Sequence, residues 1–274
     1  MSTAPAARDT ASLDRPLPRL PRSRDALSRD LAERAVAAVA AQALLTRKPG
    51  LADCASDDGR GTALAASAAP LYEAFRTVAS SDGTTSADVA AVRDEAEALI
   101  MDDDGRLGLV QALRVLLPLV AARAGGDGSV REVCARAERV AHPRADAAAL
   151  SLVTGFALPA LYEARACGLD ENAARLDALL ALMARRQDPA VADDRGPLAV
   201  RMLRRDAAAV LEAGGRSTEE GTRRFGVLED TVRRYGITPA DSAGLLAATL
   251  FLDALADPAP RDGARATQLT ASGS

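Results

Sequence analysis

Apolar residues recur every three to five positions along most of the chain, the spacing that lines one face of an α-helix. From 23 to 45, Leu27, Leu31, Val36, Val39 and the Leu44–Leu45 pair form such a stripe. Lys48-Pro49-Gly50 ends it, since a residue before proline avoids the helical region and glycine frees the backbone. The same pattern predicts a helix over 62–80 with a kink at Pro70, and one over 86–100 with Ser86 as cap and Asp88 in its first turn. A strongly apolar central helix follows over 107–124. Ser129 caps the next, over 130–141. One or two helices broken near Gly155 and Pro159 fill 142–168, and another fills 170–186. The stretch 187–197 reads as a loop, followed by helices over 198–215, 218–236 and 238–256. The last has Thr238 as cap, Pro239 in its first position and Asp241 three residues on, close to a capping box. No alternating strand pattern and no repeat of fixed period is present, so the expectation is an all-α, single-domain bundle of roughly nine to eleven helices.

Composition sharpens this picture. Aromatics make up 3% of the chain and tryptophan is absent, so Ala and Leu carry the core, which favours close helix packing over sheets. Residues 1–22 and 257–274 mix Pro, Arg and small residues without periodicity. They read as a disordered or loosely docked arm and a flexible tail around a domain at 23–256. A net charge of −4 gives no electrostatic case for nucleic acid. Cys54, Cys134 and Cys167 are far apart and form no CxxC pair, as in a reduced cytoplasmic protein. No run approaches the ~20 apolar residues of a membrane span, so a soluble, cytoplasmic protein without membrane partners is expected, and a homo-oligomer is compatible with the sequence.

Few residues carry obvious chemistry. The lone His142 rules out a histidine-rich metal site and fits a structural or surface role. Asp102, Asp103 and Asp104 could hold Mg²⁺ through a substrate triphosphate, or form a polar turn. Asp193, Asp194 and Arg195 lie in the segment read as a loop, where Arg195 could clamp phosphate or simply be solvated. Of 34 basic residues, Lys48 is the single lysine. A compact ammonium can approach phosphate as a point charge where a guanidinium fork does not fit.

Together these segments resemble the triphosphoribosyl-dephospho-CoA synthase family. Its T-P-K-P-G-L-V-D segment is matched by Thr46, Lys48, Pro49, Gly50, Leu51 and Asp53, with Arg47 for the first proline and Ala52 for valine. "TGFALPALYEA" at 154–164 resembles its GFPsv…LPaL stretch, 168–188 is similar to the helix that follows, and Arg195-Gly196 match the start of its R-G-G. "GITPADSAGLLAATLFLDAL" at 236–255 keeps the frame of its N-L-S-P-G-G-S-A-D-L-L-A-A-T-L-F. The departures are equally specific. The N-x-G-[AS]-H-x-D element is replaced by "CASDDGRGT", and T-G-G-V-N-T-H-K-G by "IMDDDGRLG", with Asp104 near the asparagine and Arg106 near the histidine. Both motif histidines are gone. In the C-terminal motif Asn becomes Gly236, the two glycines become Ala240 and Asp241, and the aspartate becomes Gly244, while Ser242 is retained.

The resemblance implies an ATP-dependent transfer of the triphosphoribosyl group to an acceptor hydroxyl, of dephospho-CoA or a changed acceptor, with release of adenine. It implies ATP as substrate, Mg²⁺ with the triphosphate, and an oxocarbenium-like displacement by analogy with glycoside cleavage. On it, Asp53 is a candidate for the base or for a metal anchor, Asp104 a candidate for the base, and Lys48, Arg106 and Arg195 candidates for phosphate contacts. Ser242 would be a hydrogen-bond contributor and Asp102 to Asp104 the Mg²⁺ site. The altered motifs equally suit a catalytically inactive homologue that binds a nucleotide or protein partner.

Overall fold

A computed structural model describes residues 11–51, 71–81, 84–100, 107–141 and 148–257. Eleven α-helical segments are described: α1 Arg24–Ala43, α2 Tyr72–Ser80, α3 Ser86–Ile100, α4 Leu107–Ala124, α5 Val130–Val140, α6 Ala148–Leu152, α7 Leu158–Ala166, α8 Glu171–Arg185, α9 Pro189–Glu212, α10 Glu219–Tyr235 and α11 Ala240–Ala256. No β-strand occurs among the described residues, only an isolated bridge between Pro16 and Ser129. The molecule is an all-α, single-domain bundle. No described helix is long and apolar enough to cross a membrane.

Two helices, α4 and α11, are apolar nearly all round and form the middle of the bundle, as such helices must. They cross at Gly244, where a Cβ would lie 2.7 Å from the backbone carbon of Gln111 and 2.9 Å from the amide of Ala112. Only glycine allows that approach. Around this pair, α1 packs on α2 and α11, α5 on α4, and α8 on α7 and α9, with α10 outside α9. One continuous core results, with Phe75, Leu113, Leu117, Leu179, Phe225 and Phe251 fully buried.

Local chemistry sets the helix ends. Ser129 and Glu132 form a reciprocal capping box at α5, the serine oxygen accepting from the Glu132 amide and the carboxylate from the Ser129 amide, as the Ser-x-x-Glu spacing predicts. At α3 the cap is Thr85 rather than Ser86: Asp88 accepts from the amide and hydroxyl of Thr85. Between α6 and α7 the helix widens into a π-turn at Val153–Ala157. Pro159 has no N–H to give the Gly155 carbonyl, and the wider turn absorbs the lost bond.

The N-terminal segment docks on the bundle from residue 11 onward. Leu13 and Leu17 are buried in the core, the Leu17 amide donates to the Gly128 carbonyl at 2.9 Å, and buried Arg123 donates to the Pro18 carbonyl at 2.8 Å.

The clearest departure from the sequence reading is 187–197. Pro189 to Arg195 is helical, capped by Asp188, whose carboxylate accepts from the Val191 amide at 3.3 Å. Gly196, at φ 79° and ψ 173°, breaks the helix, and Pro197 restarts it. An Asp-Pro pair is a strong helix start. The charged run behind it disguised the start as a loop.

Candidate functional site

Two of the segments singled out in the sequence, at 48–50 and at 195, pack against the residues that lead into α11. Pro239 precedes that helix and no side chain of its own capping residue closes it, so Thr238 is not its cap. The cap comes from elsewhere: Asp188, wholly buried, accepts hydrogen bonds from both the amide and the hydroxyl of Ser242 at 3.3 Å. Burial first, and then the negative charge of Asp241, push the Asp188 carboxyl up to about 6, against the pull of the Val191 and Ser242 amides and of Arg186. Asp241 is buried too and forms an ion pair with Arg186 at 3.1 Å. Arg186, Asp188, Asp241 and Ser242 thus make a buried polar knot between the end of α8, the start of α9 and the start of α11.

The Lys48-Pro49-Gly50 turn packs on the same end. Gly50, at φ 70°, lies against the Ile237 carbonyl and the Pro239 ring so closely that a Cβ would collide with that carbonyl. Lys48 is buried, and its ammonium donates to the carbonyls of Gln42 at 2.9 Å and Ala43 at 3.0 Å. It sits where the carbonyl end of a helix favours a cation. The neighbouring Thr46 is fixed by Asn172, whose side-chain oxygen accepts from its amide and hydroxyl at 3.0 Å each. Arg195 donates to the Gly236 carbonyl at 3.1 Å and pairs with Asp194 at 2.9 Å, leaving much of its side chain exposed. Lys48, Arg195 and Ser242 each hold a separate part of this end of the bundle, and none of the three is among the residues that line the neighbouring cavity. Asp53, Asp102, Asp103, Asp104, Arg106 and His142 lie outside the described residues.

Beside the knot opens a cavity of about 1160 Å³ between α3, α4, α5, α6 and the starts of α9 and α11. Its apolar side includes Leu113, Leu117, Pro118, Leu150 and Leu245. Its charged side carries Arg93, Arg114 and Arg186 against Asp94, Glu97, Glu138, Asp193, Asp194 and Asp241, an excess of acid. Each of these arginines is already paired: Arg93 with Asp94 at 2.6 Å, Arg114 with Glu97 at 2.9 Å, and Arg186 with Asp241. Among the described residues no group of three or more histidine, cysteine or acidic side chains is placed to hold a metal ion.

Two members of this site, Arg186 and Asp188, are not singled out by the sequence, which marks Asp241 only as a helix-start residue and a replaced motif glycine. The Asp-Pro pair at 188 was a legible helix start, and Asp241 looked like a capping residue. Their union depends on the packing of α11 against the end of α8, which no local pattern encodes.

Residues 132–262 match the family described as CitG: ATP:dephospho-CoA triphosphoribosyl transferase. The chain is 46% identical over 98 residues to a probable 2-(5''-triphosphoribosyl)-3'-dephosphocoenzyme-A synthase of Azotobacter vinelandii, covering 36% of this chain and 34% of that protein. A probable synthase of the same description from Pseudomonas putida is 43% identical over 101 residues, 37% of this chain and 36% of the relative. These matches span about a third of each relative's length. The 2-(5''-triphosphoribosyl)-3'-dephosphocoenzyme-A synthase of Klebsiella pneumoniae is 29% identical over 265 residues, covering 82% of this chain and 94% of the relative. No solved structure matches. The knot of Arg186, Asp188, Asp241 and Ser242 lies inside the matched region, and over that region this chain is similar to the triphosphoribosyl-dephospho-CoA synthase family.

Proposed function

We propose that this chain transfers the triphosphoribosyl group of ATP to an acceptor hydroxyl, of dephospho-CoA or of a molecule that replaces it, and releases adenine. The observation that carries this reading is the position of the cavity. Its wall at Arg186, Asp193 and Asp241 is built by the family-matched region. A volume near 1160 Å³ accommodates a nucleotide.

In this reaction the acceptor oxygen attacks the anomeric carbon, the bond to adenine breaks, the hydroxyl proton passes to a base and adenine takes up a proton. Asp53 or Asp104 would be the base. Arg195, half-exposed and paired with Asp194 of the cavity wall, and Arg106 would give guanidinium forks to the phosphates. Lys48 and Ser242 would act by holding the 48–50 turn and the start of α11, through the contacts they already make. Mg²⁺ would arrive with the triphosphate, Asp102 to Asp104 being the candidate contacts, since the described residues supply no cage of their own.

A second reading, a catalytically inactive homologue that binds a nucleotide or protein partner, is favoured by two observations: the paired state of every cavity arginine and the absence of both motif histidines. Incubation with ATP, Mg²⁺ and dephospho-CoA, with adenine measured by mass spectrometry, separates the two. Adenine formed in proportion to enzyme and lost in Arg195→Ala supports transfer. A rise in Tm with ATP but no adenine, with dephospho-CoA or with a panel of hydroxyl acceptors, establishes the inactive homologue.

A further inference from the structure

The cavity arginines differ in how firmly their carboxylates hold them. Arg186 is buried, and its departure would strand Asp241 in the interior. Arg114 is the opposite case. Its side chain borders the cavity from α4 and is 48% exposed, so a molecule entering from solvent can reach it. Its guanidinium donates to both carboxylate oxygens of Glu97 on α3, at 2.9 and 3.4 Å. An ion pair this open to water is held weakly, because solvent screens it and two long side chains lose freedom to form it.

Glu97, for its part, does not depend on Arg114. One turn back on α3, Arg93 places its Nε 3.7 Å from the same carboxylate while its Nη2 holds Asp94 at 2.6 Å. When Arg114 leaves, Glu97 therefore keeps a cation beside it, and Arg114 brings a free positive charge to the cavity. Gln111, one turn earlier on the same face of α4, borders the cavity with an amide donor.

The surroundings define the group that Arg114 would take. A planar guanidinium fork fits a carboxylate or a phosphate. A terminal phosphate carries more charge than a carboxylate and offers three acceptor oxygens, so it can displace Glu97 where another carboxylate would only exchange with it. Asp193 and Asp194 border the same cavity from the start of α9. A phosphate chain entering here meets like charge from them, which makes a released guanidinium a condition for binding. We propose that Arg114 is an exchangeable phosphate-binding residue, resting on Glu97 in the free protein and turning to a phosphate of the bound nucleotide while Arg93 keeps Glu97. This rests on the reading that the chain takes a nucleoside triphosphate, and it gives one of the paired cavity arginines a part in that reading.

The test is titration calorimetry of the full chain with inorganic triphosphate and with ATP, both as Mg²⁺ salts. Arg114→Gln is expected to weaken both by at least about 10-fold. Glu97→Gln removes the competing carboxylate charge and should tighten both by about 2- to 5-fold. A pair that only pins α3 to α4 would leave binding unchanged or weaker in that variant, and either result overturns the proposal. In the Arg114→Gln background, Glu97→Gln should have no effect. Tightening that persists there is a general charge effect and also overturns it, as does undetectable binding of both ligands by the wild type or unchanged affinity in a folded Arg114→Gln. Should Glu97→Gln not fold, the response of Arg114→Gln to inorganic triphosphate alone decides. Adenine release by a protein whose Arg114→Gln variant binds ATP as tightly as wild type leaves the transfer reading standing and this assignment fallen. Arg114-dependent triphosphate binding without adenine release does the reverse.

Discussion

Ser242 gives both its amide and its hydroxyl to one oxygen of Asp188, 54 residues earlier in the chain, each at 3.3 Å. The bond closes the start of α11 with a carboxylate from the start of α9, so one buried group caps two helices. The cap carries an electrostatic penalty, because burial and Asp241 raise the Asp188 carboxyl to about 6. A carboxyl whose folded value lies above its unfolded value binds more protons in the folded state between the two. Its charged form therefore destabilises the fold fully above about pH 6, and the penalty disappears as pH falls toward 4. Asp188→Asn resembles the protonated group and does not titrate. The stability advantage of wild type over Asp188→Asn should thus grow from pH 7 to pH 4.5, by on the order of 2 kcal/mol. Urea unfolding of both proteins at the two pH values measures it, and an advantage that shrinks toward low pH contradicts the assignment.

Glycines in two helices should respond in opposite ways to alanine. Gly244 lies at the crossing of α11 and α4, where a Cβ would meet backbone of Gln111 and Ala112 below 3.0 Å. Gly244→Ala must push the helices apart and should cost about 1–3 kcal/mol. Gly226 in α10 has nothing within 4 Å of a Cβ, so Gly226→Ala should gain up to about 1 kcal/mol from helix propensity. Thermal or urea unfolding of the pair checks both signs, and a neutral Gly244→Ala would show that the α4–α11 crossing yields easily.

These sites show which parts of the molecule were legible beforehand. The helices were, because an Ala- and Leu-rich chain marks its buried face at each turn, and the Ser129-x-x-Glu132 cap was visible as a local pattern. The packing of Gly50 on Ile237 and of Arg195 on Gly236 is not encoded in any local pattern, since both contacts run across the fold. Arg186, Asp188 and Asp241 were not legible as a unit. Each has an ordinary local explanation as a helix-end charge or a cap, and their coupling arises when burial removes water from all three. The need for glycine at 244 shows only once Gln111 is seen against it.

Lys48 should behave as a positioning residue. Its ammonium satisfies two carbonyls at the end of α1 in a buried setting. Lys48→Met keeps the apolar stem and removes the donors, and should cost on the order of 2–3 kcal/mol of stability. Lys48→Arg should recover only part of this, because a planar fork cannot aim at both carbonyls as a compact ammonium does. The check combines Tm with ATP affinity. A Lys48→Met protein with unchanged Tm and at least 10-fold weaker ATP binding would instead place the ammonium on a phosphate.

The Arg186–Asp241 pair provides the most direct test of the buried knot. Both side chains are over nine-tenths removed from solvent and their contact is 3.1 Å. Taking away one partner strands a charge in the interior, whereas taking away both removes the desolvation cost along with the attraction. Arg186→Met should therefore destabilise by about 3–5 kcal/mol, since Asp241 and Asp188 would then face each other without that cation. The double variant Arg186→Met with Asp241→Ala should be markedly less damaged than Arg186→Met alone, giving a coupling energy on the order of 3 kcal/mol in a double-mutant cycle. Additive losses would mean that Arg186 holds the end of α8 through its other contacts and that the ion pair is incidental. Strong coupling would mean that the Asp at 241 could be accommodated in this fold because an arginine stood beside it.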